Sequence, residues 1–196
     1  MQAVKRAIKK QLLYFRAKTT KNIKLIIGSG GIKYDGWIPT DIDTLNVLNR
    51  DEWEYYFKPG TISALLAEHV WEHFTSDDAH SAAQLCYDYV KPGGYLRVAV
   101  PDGLHPDAEY INYVRPGGIG WGSDDHKALY TYKTLAEIFE KAGFRVNLLE
   151  YFDENGQFQN TEWSLTDGIV RRSAEHDSRN QNGELKYTSI ILDAYK

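Results

Sequence analysis

A single cysteine, Cys86, stands in the 196 residues of this chain. No internal disulfide can form, and any zinc site needing two or more cysteines of the chain is excluded. Such thiol scarcity suits a reducing cytoplasm, and a cytoplasmic location is the expectation. No apolar run approaches the ~20 residues that span a bilayer. The apolar run Leu12–Phe15 is too short for a secretory leader. Acids are missing from residues 1–24, which hold eight Lys and Arg. The remainder carries 15 basic against 27 acidic side chains, a balance of −12, so a uniform nucleic-acid-binding surface is not expected. There is no repeat and no low-complexity tract. What is present, 42% hydrophobic and 26% charged residues, is ordinary for one folded domain over 1–196.

Residues 1–20 read as a basic N-terminal helix, with Val4, Ile8, Leu12 and Phe15 on one face. That stripe is expected to pack on the core and leave the basic face in water. The alternative is a weak membrane-surface or anionic-partner contact. Strands are expected at Ile23–Ile27, Trp37–Asp41 (with Pro39 an irregularity), Leu45–Asn49, Ile62–Ala67, Tyr95–Val100, Arg145–Glu150 and Tyr187–Ala194. Residues 51–60 read as an acidic-aromatic loop closed by Pro59-Gly60. Helices are expected over 77–90, started at Ser76 and stopped at Lys91-Pro92-Gly93-Gly94, and over Tyr132–Ala142. Residues 103–130 and 151–186 are long irregular insertions, the first with a helical turn near Asp107–Tyr113. Strands alternating with helices predict a parallel α/β sheet. The last two strands lack a helix between them and are expected to pair antiparallel.

The most informative stretch is Leu25–Asp43. A strand runs into Gly28-Ser29-Gly30-Gly31, and a second strand ends in Asp41 and Asp43. Glycines admit a ligand to the backbone, and an acid at the end of the next strand can accept ribose hydroxyls. Lys33 breaks the dinucleotide pattern G-x-G-x-x-G. Only Ile32–Gly36 separates the glycines from Trp37, too few residues for the helix that would hold a pyrophosphate. An adenosine ligand without a pyrophosphate fits better than a dinucleotide.

The second pattern is Glu68-His69-Val70-Trp71-Glu72-His73. His69-x-x-Glu72-His73 matches an inverted zinc-peptidase signature, which requires both histidines on one continuous helix and a third ligand. With Ile62–Ala67 a strand, Glu68 and His69 instead fall at its carboxyl edge, where open α/β sheets bind ligands. Glu72 and His73 then cap a helix start, and no metal ligand is assigned.

The ordered set Gly28-Ser29-Gly30, Gly36-Trp37, Asp41, Leu66-Ala67-Glu68-His69-Val70-Trp71-Glu72-His73, Lys91-Pro92-Gly93-Gly94-Tyr95-Leu96, Pro101-Asp102 and Ala142-Gly143-Phe144 resembles the class I S-adenosylmethionine-dependent methyltransferases. Within them it is similar to a small bacterial group with a shortened glycine-loop connector. The resemblance covers about residues 23–150 and the final strand. It implies a Rossmann-like sheet of seven strands, mostly parallel, in order 3-2-1-4-5-7-6, with the last antiparallel and helices on both faces. It implies S-adenosylmethionine as cofactor, with Gly28, Ser29 and Gly30 beside its methionine part, Asp41 on the ribose, Asp51 on the adenine amine, and Glu68 and His69 bordering the methionine and the substrate. Two positions depart from the family pattern: Ile26 stands where an acid is common, and Ile32 replaces a third glycine.

The implied activity is methyl transfer to an O or N nucleophile of a small or medium acceptor, with the two insertions shaping its pocket. Transfer to a hydroxyl or amine benefits from a base. The candidates at the carboxyl edge are His69, Asp102, His105, Asp125 and His126, with His126 the first choice and Asp102 the second. Tyr110, Tyr113, Trp121, Phe158 and Trp163 are available to stack on an acceptor or to build local core. The competing readings are a non-catalytic S-adenosylmethionine-binding regulatory module and, more remotely, a zinc hydrolase.

Overall fold

The computed structural model describes residues 2–196. Seven strands form one sheet: β1 (Ile23–Ile27), β2 (Ile38–Pro39), β3 (Ile62–Glu68), β4 (Val90–Pro101), β5 (Arg145–Phe152), β6 (Phe158–Asn160) and β7 (Ser189–Tyr195), in order β2-β1-β3-β4-β7-β5-β6. β2, β1, β3 and β4 pair parallel, and β7 runs antiparallel between β4 and β5. The antiparallel pairing of the last two expected strands is therefore as the sequence implies. Among the described residues, five α-helices accompany the sheet: α1 (Gln2–Thr19), α2 (Arg50–Tyr56), α3 (Ser76–Tyr89), α4 (Ala108–Val114) and α5 (Tyr132–Lys141).

The strands alternate with period two. Leu25, Ile27, Leu65, Ala67, Val98, Val100, Ile190 and Leu192 face one core, which α1, α2, α3 and α5 complete. Ile26, Ala64, Leu66, Ala99 and Ile191 point the other way, against Trp37, Leu149 and Val170. Among the described residues, the second core is closed by the 161–173 segment, which carries a short 3-10 turn at Leu165–Asp167. Arg97 pins that cover. It makes a two-pronged pair with Asp193 (2.8 Å twice) and donates to the carbonyls of Ser164 (2.9 Å) and Gly168 (2.8 Å). Polar irregular chain can lie on a buried face only when its carbonyls find such donors.

Three expectations are corrected. Leu45–Asn49 is no strand; Thr44 and Leu45 turn back on the Asp41 carbonyl, so the outermost strand of the implied order is missing, and β6 supplies the seventh at the opposite edge. Residues 50–56 are helix rather than loop, because Asn49 caps the Asp51 N–H, acids fill the first turn, and Trp53 and Tyr56 present one buried face. The stripe Val4, Ile8, Leu12 and Phe15 faces solvent, while Leu13 and Ala17 pack on the core. Lys10 to Glu52 and Lys18 to the Tyr56 carbonyl set that rotation by tying α1 to α2. No helix of the described residues is long and apolar enough to cross a membrane.

Candidate active site

β1 ends in a turn that only glycine makes comfortably. Gly28, Gly30 and Gly31 have φ of 63°, 55° and 91°. A side chain on Gly28 would meet Val70 Cγ2 at 2.6 Å, whereas the space beside Gly30 and Gly31 is open. The Thr40 N–H reaches the Ile26 carbonyl and the Ser29 N–H the Thr40 carbonyl, so the chain crosses from β1 to β2 without a helix. Asp41 then closes the turn from below. Its Oδ1 accepts the Gly30 N–H (2.8 Å) and its Oδ2 the Ser29 hydroxyl (2.9 Å). A carboxylate offers about four acceptor positions, so two remain for a diol. Asp43 is engaged elsewhere, with Lys9 at 2.9 Å.

β3 ends in the second half of the site. Glu68 accepts the Arg172 N–H (2.9 Å) and the Arg171 Nε–H (3.3 Å), drawing the 161–186 segment to the cleft. His69 adopts φ 56°, unusual for a side chain with Cβ, and this breaks the chain out of the strand. Its Nε2 lies 3.1 Å from Ser189 Oγ and its Nδ1 3.0 Å from Glu72 Oε1. Burial, helped by the Arg172 charge, holds its imidazole well below the ordinary histidine range, so it is neutral at neutral pH. A short 3-10 turn, Trp71–His73, follows. Since His69 and His73 sit on different elements, the continuous helix of the peptidase signature does not exist, and the zinc-hydrolase reading loses its frame.

Glu72 is the group that sequence reasoning misplaced. It does not solvate a helix start: it is wholly buried, and neither carboxylate oxygen has an aligned hydrogen-bond donor. Burial pushes it up to about 7. Its carbonyl accepts the N–H groups of Lys127 (2.7 Å) and Ala128 (3.2 Å), which brings the 122–128 loop over it. That loop delivers His126. His126 Nδ1–H donates to the Val114 carbonyl (2.7 Å), leaving Nε2 as its basic nitrogen. The His73 and His126 rings meet edge to face, centroids 4.9 Å apart.

Two lobes of one cleft run along this edge and share Gly28, Gly30, His69, His73 and Asp125. The larger, about 550 Å³, adds Tyr34, Glu68, Glu72, His126, Arg171 and Arg172, with the almost fully exposed Trp121 at its rim. The smaller, about 380 Å³, adds Asp41, Ile42, Leu45, Asn46 and Val47. Gly28, Ser29, Gly30, Asp41, Glu68, His69 and His126 are therefore brought together. Asp51 is not: it lies in a separate depression between α1 and α2. Asp102 is also corrected. It is wholly buried, lines neither lobe, and spends its two oxygens on the N–H groups of Phe152 (2.7 Å) and Leu104 (2.9 Å). It holds the backbone from outside the cleft. His105 is likewise structural, stacked on Tyr110 and bonded to the Leu185 carbonyl. Tyr110 is core, and Trp163 packs on Arg97. The Arg171-Arg172 pair went unremarked in the sequence, its only signal being two adjacent cations in a polar stretch.

No protein-family model matches the chain, and no curated protein matches it in sequence. Solved structures do match in shape. A methyltransferase dependent on S-adenosylmethionine (SAM) from Archaeoglobus fulgidus superposes with a TM-score of 0.56 at 18% identity, over 100% of this chain and 94% of its own. The fold is that of the SAM-dependent methyltransferases. A methyltransferase from Listeria monocytogenes gives 0.53 at 11% identity over 94% and 97% of the two chains. One from Thermotoga maritima gives 0.52 at 13% over 94% and 87%. In this methyltransferase fold the edge that carries the glycine turn, Asp41 and His69 is the carboxyl edge of parallel strands. That is the side where open α/β sheets hold ligands.

Proposed function

We propose that this chain transfers a methyl group from S-adenosylmethionine to an O or N nucleophile of a small or medium-sized acceptor. The observation that carries the reading is the two-lobed cleft on a methyltransferase fold. One lobe has the glycine turn and Asp41, and the other has ionisable groups suited to an acceptor. The donor's residues would be Gly28, Ser29 and Gly30 toward its methionine part, Asp41 toward the ribose, and Ile42 and Val47 toward the base. When bound, this cofactor supplies an electrophilic methyl on a sulfonium.

The chain's own part is alignment and proton handling. His69 sits where the lobes join and borders both ligands, with Glu68 beside it in the larger lobe. The acceptor lies in the larger lobe, against Tyr34, Arg171 and Arg172. His126 Nε2 is the nitrogen base best placed for the acceptor's proton. The 122–128 loop, tied over Glu72 by its Lys127 and Ala128 N–H groups, covers that end of the larger lobe.

Calorimetric titration with S-adenosylmethionine and with its demethylated product tests the reading. Saturable binding of either at micromolar concentration is expected. Absence of binding for both at millimolar concentration would refute it.

A further inference from the structure

The Glu72 corner has more ligating capacity than a base requires. Glu72, His73 and His126 each present one donor atom, and the three atoms lie within 4.8 Å of one another. Ligands about 2.0–2.2 Å from a common ion stand at most ~4.4 Å apart, so a small contraction of the group suffices. A buried carboxylate without aligned donors is costly, and His73 Nδ1, 3.3 Å from Asp125 Oδ2, is buried with no aligned hydrogen bond among the described residues. His126 is already oriented for ligation. Donating Nδ1–H to the Val114 carbonyl fixes its tautomer and its ring, as the outer hydrogen bond of a ligating histidine does. Peptide bonds from Lys127 and Ala128 to the Glu72 carbonyl lock the two segments together. The corner lines the larger lobe, so an ion there keeps open positions toward the cavity.

We infer that Glu72, His73 and His126 form a binding site for one first-row divalent transition ion. Two imidazoles and one carboxylate suit zinc, manganese, iron or cobalt better than calcium or magnesium. The site's role rests on the methyltransferase reading. An ion facing the acceptor lobe would hold an acceptor hydroxyl and lower its pKa, so that its proton passes to solvent water, and His126 would ligate the ion instead of taking that proton.

The test uses the tag-free full chain, stripped with chelator and dialysed, then titrated with cobalt(II) and with zinc(II). One equivalent of cobalt(II) with visible d–d absorption is expected, and zinc(II) should displace it. His126→Ala and His73→Ala, each checked for intact fold by circular dichroism, should weaken cobalt(II) binding at least about tenfold. His80→Ala, on α3 away from the corner, should leave it unchanged. Substoichiometric binding without d–d bands, or affinity unaltered in both His73→Ala and His126→Ala, would overturn the site. Because the readout is metal binding, it is separable from the cofactor titration. Cobalt(II) binding without S-adenosylmethionine binding would sustain the ion site while refuting the methyltransferase reading.

A different observation carries a second proposal. Val4, Ile8, Leu12 and Phe15 are 64%, 51%, 57% and 66% exposed, a continuous apolar stripe on α1. The same segment, residues 1–24, carries eight cations and no acid, and although Lys9 and Lys10 pair with Asp43 and Glu52 and Arg6 and Lys18 bond backbone carbonyls, Lys5, Arg16, Lys21 and Lys24 make no ion pair among the described residues. We propose that α1 docks this face on an anionic lipid surface, the occupant that complements both its apolar stripe and its charge. Sedimentation with vesicles should show binding when they contain an anionic phospholipid and little when they are purely zwitterionic. Binding should fall with salt and be lost in the Ile8→Glu, Phe15→Glu double variant. No binding to anionic vesicles would overturn the proposal. So would a concentration-dependent dimer, dispersed by the double variant, without vesicle binding.

Discussion

Asp102 and Glu72 are both wholly buried carboxylates near the carboxyl edge of the sheet, and they are held in opposite ways. Asp102 follows β4 and is saturated, with backbone N–H groups on both oxygens. Glu72 follows β3 and has none. Both are pushed upward by burial, to about 6 and about 7. The difference teaches which carboxylate is architecture. A buried acid that spends its lone pairs on the backbone fastens chain segments, whereas one with no backbone donor, facing a cavity with only the His69 ring at 3.0 Å, is free to meet a ligand.

The contrast can be broken most severely at Asp102. Asp102→Ala strands two buried N–H groups, and urea unfolding should show a loss of about 2–5 kcal/mol. If the loss is under ~1 kcal/mol, the architectural role is wrong.

The pH dependence sharpens the same point. Burial raises the folded Asp102 carboxyl to about 6, from an unfolded value near ~4. The folded state therefore binds the proton more tightly, and this group's contribution to stability falls as pH rises from about 4 to about 6, then stays level. Asp102→Asn does not titrate, and other groups cancel in the difference. The stability gap between wild type and Asp102→Asn should shrink from pH 4 to pH 7 by up to about 2–3 kcal/mol.

Asp41 tests the cofactor half of the cleft. Asp41→Ala removes the acceptor of the Gly30 N–H and the Ser29 hydroxyl as well as any contact to a diol. S-adenosylmethionine affinity should drop at least tenfold, about 1.4 kcal/mol, by calorimetry. An unchanged affinity would move the ribose elsewhere.

The smallest effect is expected at Glu72. Glu72→Gln loses no aligned hydrogen bond and removes a buried charge, so urea unfolding should register a change under ~1 kcal/mol. The same variant should lose cobalt(II) binding. A large destabilisation would make Glu72 a structural acid like Asp102 and erase the contrast.

Much of this molecule is readable along the chain. The apolar runs of β1, β3 and β4 are local patterns, as are the glycines after Ile27 and the position of Asp41 beyond a proline-bearing edge strand. The helix over 50–56 was legible too: Asn49 is an N-cap and Trp53 and Tyr56 share a face, but the aromatic and acidic content obscured it. The rotation of α1 was not legible, because two apolar stripes compete on that helix. Contacts to α2 decide which one is buried.

By itself, then, the sequence determined the α/β sheet, the helix-free crossing from β1 to β2, and the residue types at its carboxyl edge. These depend on periodicity and on backbone conformations that only glycine adopts readily. Tertiary structure alone decided which acids are ligands and which are fasteners. Burial and hydrogen-bond partners arise from segments far apart in the chain: Phe152 reaches Asp102, and the 122–128 loop reaches Glu72. No local pattern encodes whether a carboxylate will find a donor, because the donor is supplied by whichever backbone the fold lays against it.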